Sequence, residues 1–257
     1  MTPRTPDGTD TELVRLERRG QVCVLTLRRE AKLNAISNAM EAQLCTALAR
    51  PELREAGCVV VTGGPRVFSA GADVTEFSGL DPAAIMDWYR GTGDFVERFA
   101  DLPQPTVAAI AGYCLGAGFE LALACDFRIA ETSAVFGLPE VKLGILPSSG
   151  GTYRLVRAIG PVRAKELILL RDRVDAAEAH RLGALTEVVA DGAALGRALT
   201  HAEHLAALPP LAARVAGRAA EAVAEASRAT ALEIERIAYG MLAQTAEADA
   251  ALERFER

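Results

Sequence analysis

Two glutamates, Glu120 and Glu140, lie in stretches that otherwise contain few polar side chains. Glu120 is the single acidic residue of the run 111–125, and Glu140 follows Pro139 twenty positions further along the chain. A carboxylate among aliphatic neighbours is costly to ionise, so burial raises its pKa towards the range in which it can both accept and give up protons. Two such residues near one glycine-rich turn indicate a general acid/base pair.

Main-chain amides near these glutamates could bind negative charge. The turn Gly116-Ala117-Gly118 precedes a predicted helix that runs to about Ala124. The first N–H groups of a helix have no acceptor inside the helix and attract anions. The loop 69–72 offers a second set of N–H groups, and two donors that converge on one oxygen form an oxyanion hole. This arrangement suits a carbonyl group that becomes an enolate.

Each of these features also has a purely structural interpretation. Gly116 and Gly118 could serve only a close-packed turn, Glu120 could lie on a solvated helix face, and Glu140 could be a surface loop residue. No His/Cys/Asp/Glu spacing matches a metal site. Three histidines fall in charged helical segments and are expected at the surface: His180, His201 and His204.

The elements that must position these residues alternate between strand and helix up to about residue 190, which predicts an α/β fold. Apolar and β-branched runs predict strands at 21–27, 58–62, 106–110, 127–130 and 134–136. Helical spacing predicts helices at 35–48, 81–100, 163–170 and 176–182, with Ser37 and Asp81 as N-caps of the first two. Residues 193–254 are alanine-rich and predict several further helices, with breaks near Pro209-Pro210 and Gly240.

Composition narrows the classes of function. The chain has 257 residues and a formal net charge of −6, which argues against a nucleic-acid binder. Residues 1–11 are polar and predict a flexible arm without the apolar centre of a signal peptide. No apolar run approaches the roughly 20 residues of a membrane span. The five cysteines form no CxxC pair, and buried free thiols are expected. Together these features predict a cytoplasmic protein that does not bind membranes.

Three ordered motifs resemble the crotonase (enoyl-CoA hydratase/isomerase) superfamily. They are 68–74, 112–122, and 136–147 followed by Gly150-Gly151-Thr152, and Lys32-Leu33-Asn34-Ala35 resembles the first CoA-contacting loop of that family. The resemblance implies a spiral of ββα units over 12–195, which binds CoA and carries the catalytic residues. It also implies a C-terminal helical oligomerisation region, 196–257, and homotrimers or dimers of trimers.

The same resemblance implies a site and a reaction. An acyl-CoA thioester would place its carbonyl oxygen on the amides of Ala72 and Ala117, with Glu120 and Glu140 holding a water molecule between them. Because isomerases of the family often keep only the second glutamate, both together favour hydration of a 2-enoyl-CoA to a 3-hydroxyacyl-CoA. Coenzyme A would enter as part of the substrate, with no tightly bound cofactor and no metal.

Further positions follow from the resemblance. Ser148 stands near the water site in place of a common glycine, Thr75 stands where a lysine often contacts CoA, and Ala117 replaces the usual middle glycine. The acyl group is expected near Met86, Trp88, Tyr89 and Phe95, although helix packing explains these residues equally well. The expected CoA-binding residues are Lys32, Leu33, Ala35, Ala70, Asp73, Val74 and Thr75.

Several rival functions remain open at this point. Within the family, the chain could be an isomerase, or could catalyse a dehalogenation or a decarboxylation. The glycine-rich turn could belong to a dinucleotide-binding dehydrogenase, but the third glycine of that fingerprint is missing. A non-catalytic member of the same fold, such as an RNA-binding one, is disfavoured by the negative charge and by the two glutamates.

Overall fold

The computed structural model of the protein describes residues 12–81, 83–85 and 94–255. The predicted N-terminal arm, residues 1–11, lies outside the described residues. So do Met86, Trp88 and Tyr89, which were expected near the acyl group.

Two sheets run through the described part of the chain. The larger sheet has the strand order β1-β2-β3-β4-β6-β9, and the smaller sheet has the order β5-β7-β8. In the larger sheet β1 is antiparallel to β2 and all other neighbours are parallel. The strands are β1 Val14–Arg19, β2 Val22–Leu27, β3 Cys58–Thr62, β4 Thr106–Ile110, β5 Tyr113–Leu115, β6 Phe127–Glu131, β7 Val135–Gly137, β8 Val174–Asp175 and β9 Glu187–Val189.

From β4 to β7, consecutive strands alternate between the two sheets. β4 lies in the larger sheet and β5 in the smaller one, and β6 and β7 repeat this step one position further along both sheets. A helix follows each of these pairs. The spiral of ββα units that the resemblance implied is therefore present.

Ten α-helices with defined bounds complete the described chain. Ser37 caps the first, since its hydroxyl accepts the Met40 N–H at 3.3 Å, and Asp81 accepts the N–H groups of Ala83 and Ala84 at 2.9 Å. Both predicted caps are thus confirmed. The helices are α1 Asn38–Leu48, α2 Pro51–Arg54, α3 Asp94–Ala100, α4 Ala117–Ala124, α5 Gly151–Leu169, α6 Ala176–Leu182, α7 Ala194–Ala206, α8 Pro210–Val223, α9 Arg228–Leu242 and α10 Ala246–Phe255.

One predicted helix start was wrong, and the strand at the edge of the larger sheet was missed. Helix α5 begins at Gly151 rather than at residue 163, and it contains a break at Gly160, where φ is 78° and Pro161 follows. The break predicted near Gly240 is present and falls just after this glycine, since α9 ends at Leu242 and α10 begins at Ala246. Strand β1 was not predicted because four of its six residues are charged.

The core has two layers, one on each face of the larger sheet. One layer contains the large aromatic side chains that pack between the sheets and the helices. The other lies between the sheet and α7, whose residues Ala194, Ala198 and Ala202 recur at helical spacing against valines such as Val60. The predicted domain boundary at 195/196 therefore falls within a helix that packs on the sheet. Helices α9 and α10 expose large apolar side chains: Ile237, Tyr239, Met241 and Leu252.

A buried asparagine joins the loop after β2 to the loop after β3. Asn34 is fully buried and has a left-handed backbone, with φ of 52°. Its side-chain NH₂ group donates to the carbonyl groups of Gly63, Val67 and Phe68 at 2.8–3.2 Å. Its side-chain oxygen accepts the Arg29 N–H at 2.7 Å. These bonds fix both loops of the proposed CoA-binding region.

Replacing Asn34 with alanine should lower the free energy of unfolding by about 3 kcal/mol, because it leaves several buried carbonyl groups and one N–H without partners. Denaturant unfolding would measure this loss. Asn38→Ala is the matched control, since Asn38 is exposed at the start of α1. Equal stabilities of the two variants would contradict the assigned role of Asn34.

The part of the chain that the structure describes contains no helix long and apolar enough to cross a membrane. The described residues likewise contain no group of three or more His, Cys, Asp or Glu that could hold a metal ion.

Candidate active site

Helix α4 begins directly behind a sharp turn. β5 ends at Leu115, and Gly116 makes the turn with φ of 50° and ψ of −130°, a backbone conformation that side chains rarely allow. The Gly116 N–H donates to the Gly137 carbonyl at 3.0 Å. A Cβ on Gly118 would lie 2.6 Å from the Ser69 Cβ, so the absence of a side chain lets the helix pack on the loop after β3.

The C-terminal end of α4 is held by Arg128. Its guanidinium donates to the carbonyl groups of Ala122, Cys125 and Ala184. Burial lowers the pKa of this guanidinium. A cation at this position neutralises the negative end of the helix dipole and satisfies terminal carbonyl groups.

Glu120 lies in the first turn of α4 and is only 3% exposed. One oxygen of its carboxylate, Oε1, accepts N–H bonds from Ser149 at 2.8 Å and from Gly151 at 2.9 Å. Burial raises the pKa of Glu120, and this effect is opposed by the amides of Gly151, Ser149 and Ser148 and by Arg154. The solvated position considered for Glu120 is therefore excluded, and its charged form is supported by fixed donors.

Glu140 opens a 3₁₀ turn, Glu140–Leu143, that follows β7. Its Oε2 atom is buried and has no hydrogen-bond partner among the described residues. Burial raises the pKa of Glu140 to about 7, and the negative charge of Glu120 adds to this rise. A carboxyl group with this pKa is present in both protonation states at neutral pH and can give or take a proton.

The two carboxylates face the same region beside the start of α4. A Cβ on Gly116 would lie 3.1 Å from Glu140 Oε1, and Glu120 lies one turn into the helix that Gly116 precedes. The negative charge of Glu120 contributes to the raised pKa of Glu140, as expected for two carboxylates within the range of electrostatic interaction. The structure thus brings together two glutamates that are twenty positions apart in the sequence.

The raised pKa of Glu140 makes the stability of the protein depend on pH. The folded protein binds the proton more tightly than the unfolded chain, whose glutamate has the ordinary value of 4.5. The contribution that protonated Glu140 makes to the free energy of unfolding is therefore fully present below pH 4.5. It is lost as the pH rises through about 7.

Glu140→Gln, which cannot ionise, should then raise the free energy of unfolding by about 1–3 kcal/mol at pH 8 and change it little at pH 4.5. Denaturant unfolding at both pH values measures this difference. The control is Glu203→Gln, which removes an exposed carboxylate from α7. If Glu140→Gln changed the free energy of unfolding equally at both pH values, the conclusion that Glu140 is buried in its ionised form at pH 8 would be refuted.

The two amides expected to form an oxyanion hole lie on adjacent loops. Ala117 is the first residue of α4, so its N–H has no acceptor inside that helix. Ala72 forms a parallel bridge with Ile36 in which Gly71 O and Asp73 N make the bonds, so the Ala72 N–H points to the other side. A Cβ on Gly71 would lie 3.6 Å from Ala117 N, which shows how closely the loops approach.

The residues expected to bind CoA lie on two loops that are hydrogen-bonded to each other. The Ala70 N–H donates to the Leu33 carbonyl at 2.9 Å, and Lys32 and Leu33 are exposed beside this contact. Asp73 uses its carboxylate internally, accepting from Arg29 and from the Thr75 hydroxyl, both at 2.6 Å. The side chains of Asp73 and Thr75 are thus engaged with the protein, while Val74 is 45% exposed. Ala35 joins the same network, since its carbonyl accepts from Arg29 at 3.0 Å.

Three other expectations have mixed outcomes. Ser148 is exposed, and its amide faces the Glu120 carboxylate. Phe95 was expected near the acyl group but is 2% exposed and packs in the main core. His180 and His204 lie at the surface as predicted, whereas His201 is half-buried and contacts Glu187 at 2.9 Å.

Two arginines that support the site were not predicted from the sequence. Arg29 forms an ion pair with Asp73 across the two CoA-region loops, and Arg154 bonds to the loop that holds Glu120. Either residue looks like an ordinary surface arginine in the sequence. The one signal in the sequence is the Gly150-Gly151 pair, because adjacent glycines let other groups approach the backbone closely.

Comparison with known proteins first defines the class. The crystal structure of an enoyl-CoA hydratase from Bacillus anthracis superposes with a TM-score of 0.88 at 35% identity and covers 95% of this chain and 96% of that one. The fold is therefore the crotonase fold. A family model described as enoyl-CoA hydratase/isomerase matches residues 17–257, and the chain belongs to this family of enzymes.

Two relatives cover nearly the whole chain. A protein of Rhizobium meliloti (strain 1021) named "Probable enoyl-CoA hydratase" is 39% identical over 238 residues, which is 91% of each chain. The 2,3-dehydroadipyl-CoA hydratase of Escherichia coli (strain K12) is 38% identical over 237 residues, again 91% of each chain. These similarities support a reaction of the hydratase/isomerase type on a CoA thioester.

Proposed function

We propose that the protein is an enoyl-CoA hydratase, which adds water to a 2-enoyl-CoA thioester and gives a 3-hydroxyacyl-CoA. The observation that carries this proposal is the pair of glutamates with different surroundings beside the start of α4. Glu120 accepts two main-chain N–H bonds, whereas Glu140 has a buried oxygen without a partner among the described residues. Such a pair can divide the acid and base work of hydration.

The surroundings of the two glutamates support assigning Glu120 as the base and Glu140 as the acid. The amide donors favour the ionised form of Glu120, so it takes a proton from water as the water oxygen attacks C3 of the enoyl group. Glu140, whose pKa is raised to about 7, gives its proton to C2. Afterwards Glu120 carries the proton taken from water and Glu140 is ionised, and proton exchange with solvent restores both groups.

The amides of Ala72 and Ala117 stabilise the intermediate. They would donate to the thioester oxygen as negative charge moves onto it from the attacked double bond. Because both N–H groups are fixed by the surrounding loops, they need not reorganise during the reaction. Removing one such donor typically costs about 3–4 kcal/mol of barrier.

The remaining parts of the proposal concern binding and assembly. The hydrogen-bonded loops around Leu33 and Ala70 would bind the CoA part of the substrate, and Ser148 would help to place the water molecule. The apolar side chains exposed on α9 and α10 suit a homotrimer or a dimer of trimers. We place the protein in the cytoplasm, as its composition suggests.

An isomerase remains the second candidate. Glu140, without help from Glu120, has a pKa suited to moving a proton between two carbons. Hydration is preferred because an isomerase has no evident use for the N–H bonds that support an ionised Glu120.

The proposal is tested by incubating the protein with crotonyl-CoA and following the loss of absorbance of the conjugated enoyl thioester. A product heavier by one water, detected by mass spectrometry, is the expected result. No loss with short-, medium- or long-chain 2-enoyl-CoA would overturn the proposal, and a product of unchanged mass would favour the isomerase.

A further inference from the structure

Arg154 connects the loop that holds Glu120 to a different helix. Its Nη1 donates to the Ser149 carbonyl at 3.1 Å, and its Nη2 forms an ion pair with Glu97 of α3 at 2.9 Å. The Arg154 side chain is only 14% exposed, whereas that of Glu97 is 55% exposed. The charge of a cation held this far out of water is screened less than that of an exposed one.

Ser149 is fixed at both ends by charged groups. Its N–H donates to Glu120 Oε1 at 2.8 Å, and its carbonyl accepts from Arg154. Any movement of the arginine therefore moves a donor of the Glu120 carboxylate.

The glycine pair lets both charged groups approach the backbone. A Cβ on Gly150 would lie 2.0 Å from Arg154 Nη1, and a Cβ on Gly151 would lie 2.6 Å from Glu120 Oε1. Gly150 also has φ of 82°, a conformation that favours glycine. Thus the guanidinium packs against one residue of this turn and the carboxylate against the next.

We propose that Arg154 is a positioning residue that keeps the Glu120 carboxylate ionised and in place through the loop 148–151. The proposal rests on the proposed function only in so far as Glu120 acts as a base. Arg154 itself would touch neither the substrate nor the reacting water.

The charges that act on Glu120 come from three elements. Arg154 of α5 favours its ionised form, and the charge of Glu120 in turn raises the pKa of Glu140, in the turn after β7. Glu97 of α3 acts through its ion pair with Arg154. Removing the cation should raise the pKa of Glu120, and removing Glu97 should lower it by a smaller amount.

The experiment is a ¹³C NMR titration of the Glu120 carboxyl group, assigned by its disappearance in Glu120→Gln. In Arg154→Met the titration midpoint should rise by roughly half to one pH unit, and in Arg154→Lys by less, because lysine keeps the charge without the planar fork. Glu97→Gln should shift it in the opposite direction. Arg163→Met, which removes an exposed arginine of the same helix, is the control and should leave the midpoint unchanged.

A midpoint in Arg154→Met equal to that of the wild type would overturn the proposal. If Arg154→Met does not fold, the titration midpoint of Glu120 in Glu97→Gln decides. A midpoint that moves to higher pH, or does not move, would overturn the proposal. Only an electrostatic role of Arg154 predicts midpoint shifts of opposite sign for the loss of Arg154 and the loss of Glu97. Because NMR does not depend on turnover, these results stand even if no enoyl-CoA is hydrated. Where hydration is observed, the acidic limb of the pH profile of kcat should follow the same shifts while KM changes little.

Discussion

Glu140→Gln should lower kcat for hydration of crotonyl-CoA by about 10²–10⁴-fold, with a much smaller change in KM. Glutamine has nearly the same shape but cannot release a proton to C2 at neutral pH. The substrate would still bind, because the amides of Ala72 and Ala117 and the loops around Leu33 are unchanged. Steady-state kinetics across the pH range measures the effect.

The stability of this variant separates loss of chemistry from loss of fold. Since Glu140→Gln should be more stable than the wild type above pH 7, a fall in kcat together with a rise in stability identifies Glu140 as the group that reacts. Glu203→Gln should leave kcat unchanged. A Glu140→Gln protein that keeps more than about a tenth of the wild-type kcat would contradict the assigned role.

Glu120→Gln should lower the rate of hydration by a comparable factor of about 10²–10⁴. A glutamine side-chain oxygen can still accept the N–H bonds of Ser149 and Gly151, so the loop should keep its place. What is lost is the negative charge that takes the proton from water. Comparison of hydration with double-bond isomerisation in the same variant measures this loss selectively.

The isomerisation assay distinguishes the two candidate reactions. An isomerase that relies on Glu140 should keep most of its activity in Glu120→Gln, whereas a hydratase should lose most of its turnover. If isomerisation of a 3-enoyl-CoA is fast in the wild type and persists in the variant, while hydration is slow in both, the hydratase proposal is wrong.

The sequence was most informative where local signals agreed with the tertiary environment. The apolar runs of β3 and β4 predicted strands with the observed bounds. Every residue in these strands is buried, and the apolar residues that a buried sheet needs are also those that favour strand structure locally. Ser37 predicted the start of α1 for a similar reason, since its cap bond is local. The wrong predictions arose where exposure hid the pattern, as in the charged edge strand β1.

The site could be predicted only in part. Glu120 and Glu140 were found because a carboxylate within an apolar stretch is unusual on its own. The sequence does not show that they face one region, because this depends on how β5 and β7 pair in the smaller sheet and bring Gly116 to Gly137. Arg154 could not be recognised from the sequence, since its role comes from contacts with Ser149 and Glu97, which are not marked by any local pattern.

Helix α4 has only eight residues, and an isolated peptide of that length would be almost entirely unfolded in water. Gly116 attaches its beginning to one sheet through Gly137, and Arg128 attaches its end to residues as distant as Ala184. The proposed oxyanion hole at its beginning would therefore form only while the whole spiral is assembled. A substitution that loosened this helix would therefore also remove contacts that hold the two sheets and the loop around Ala184 together.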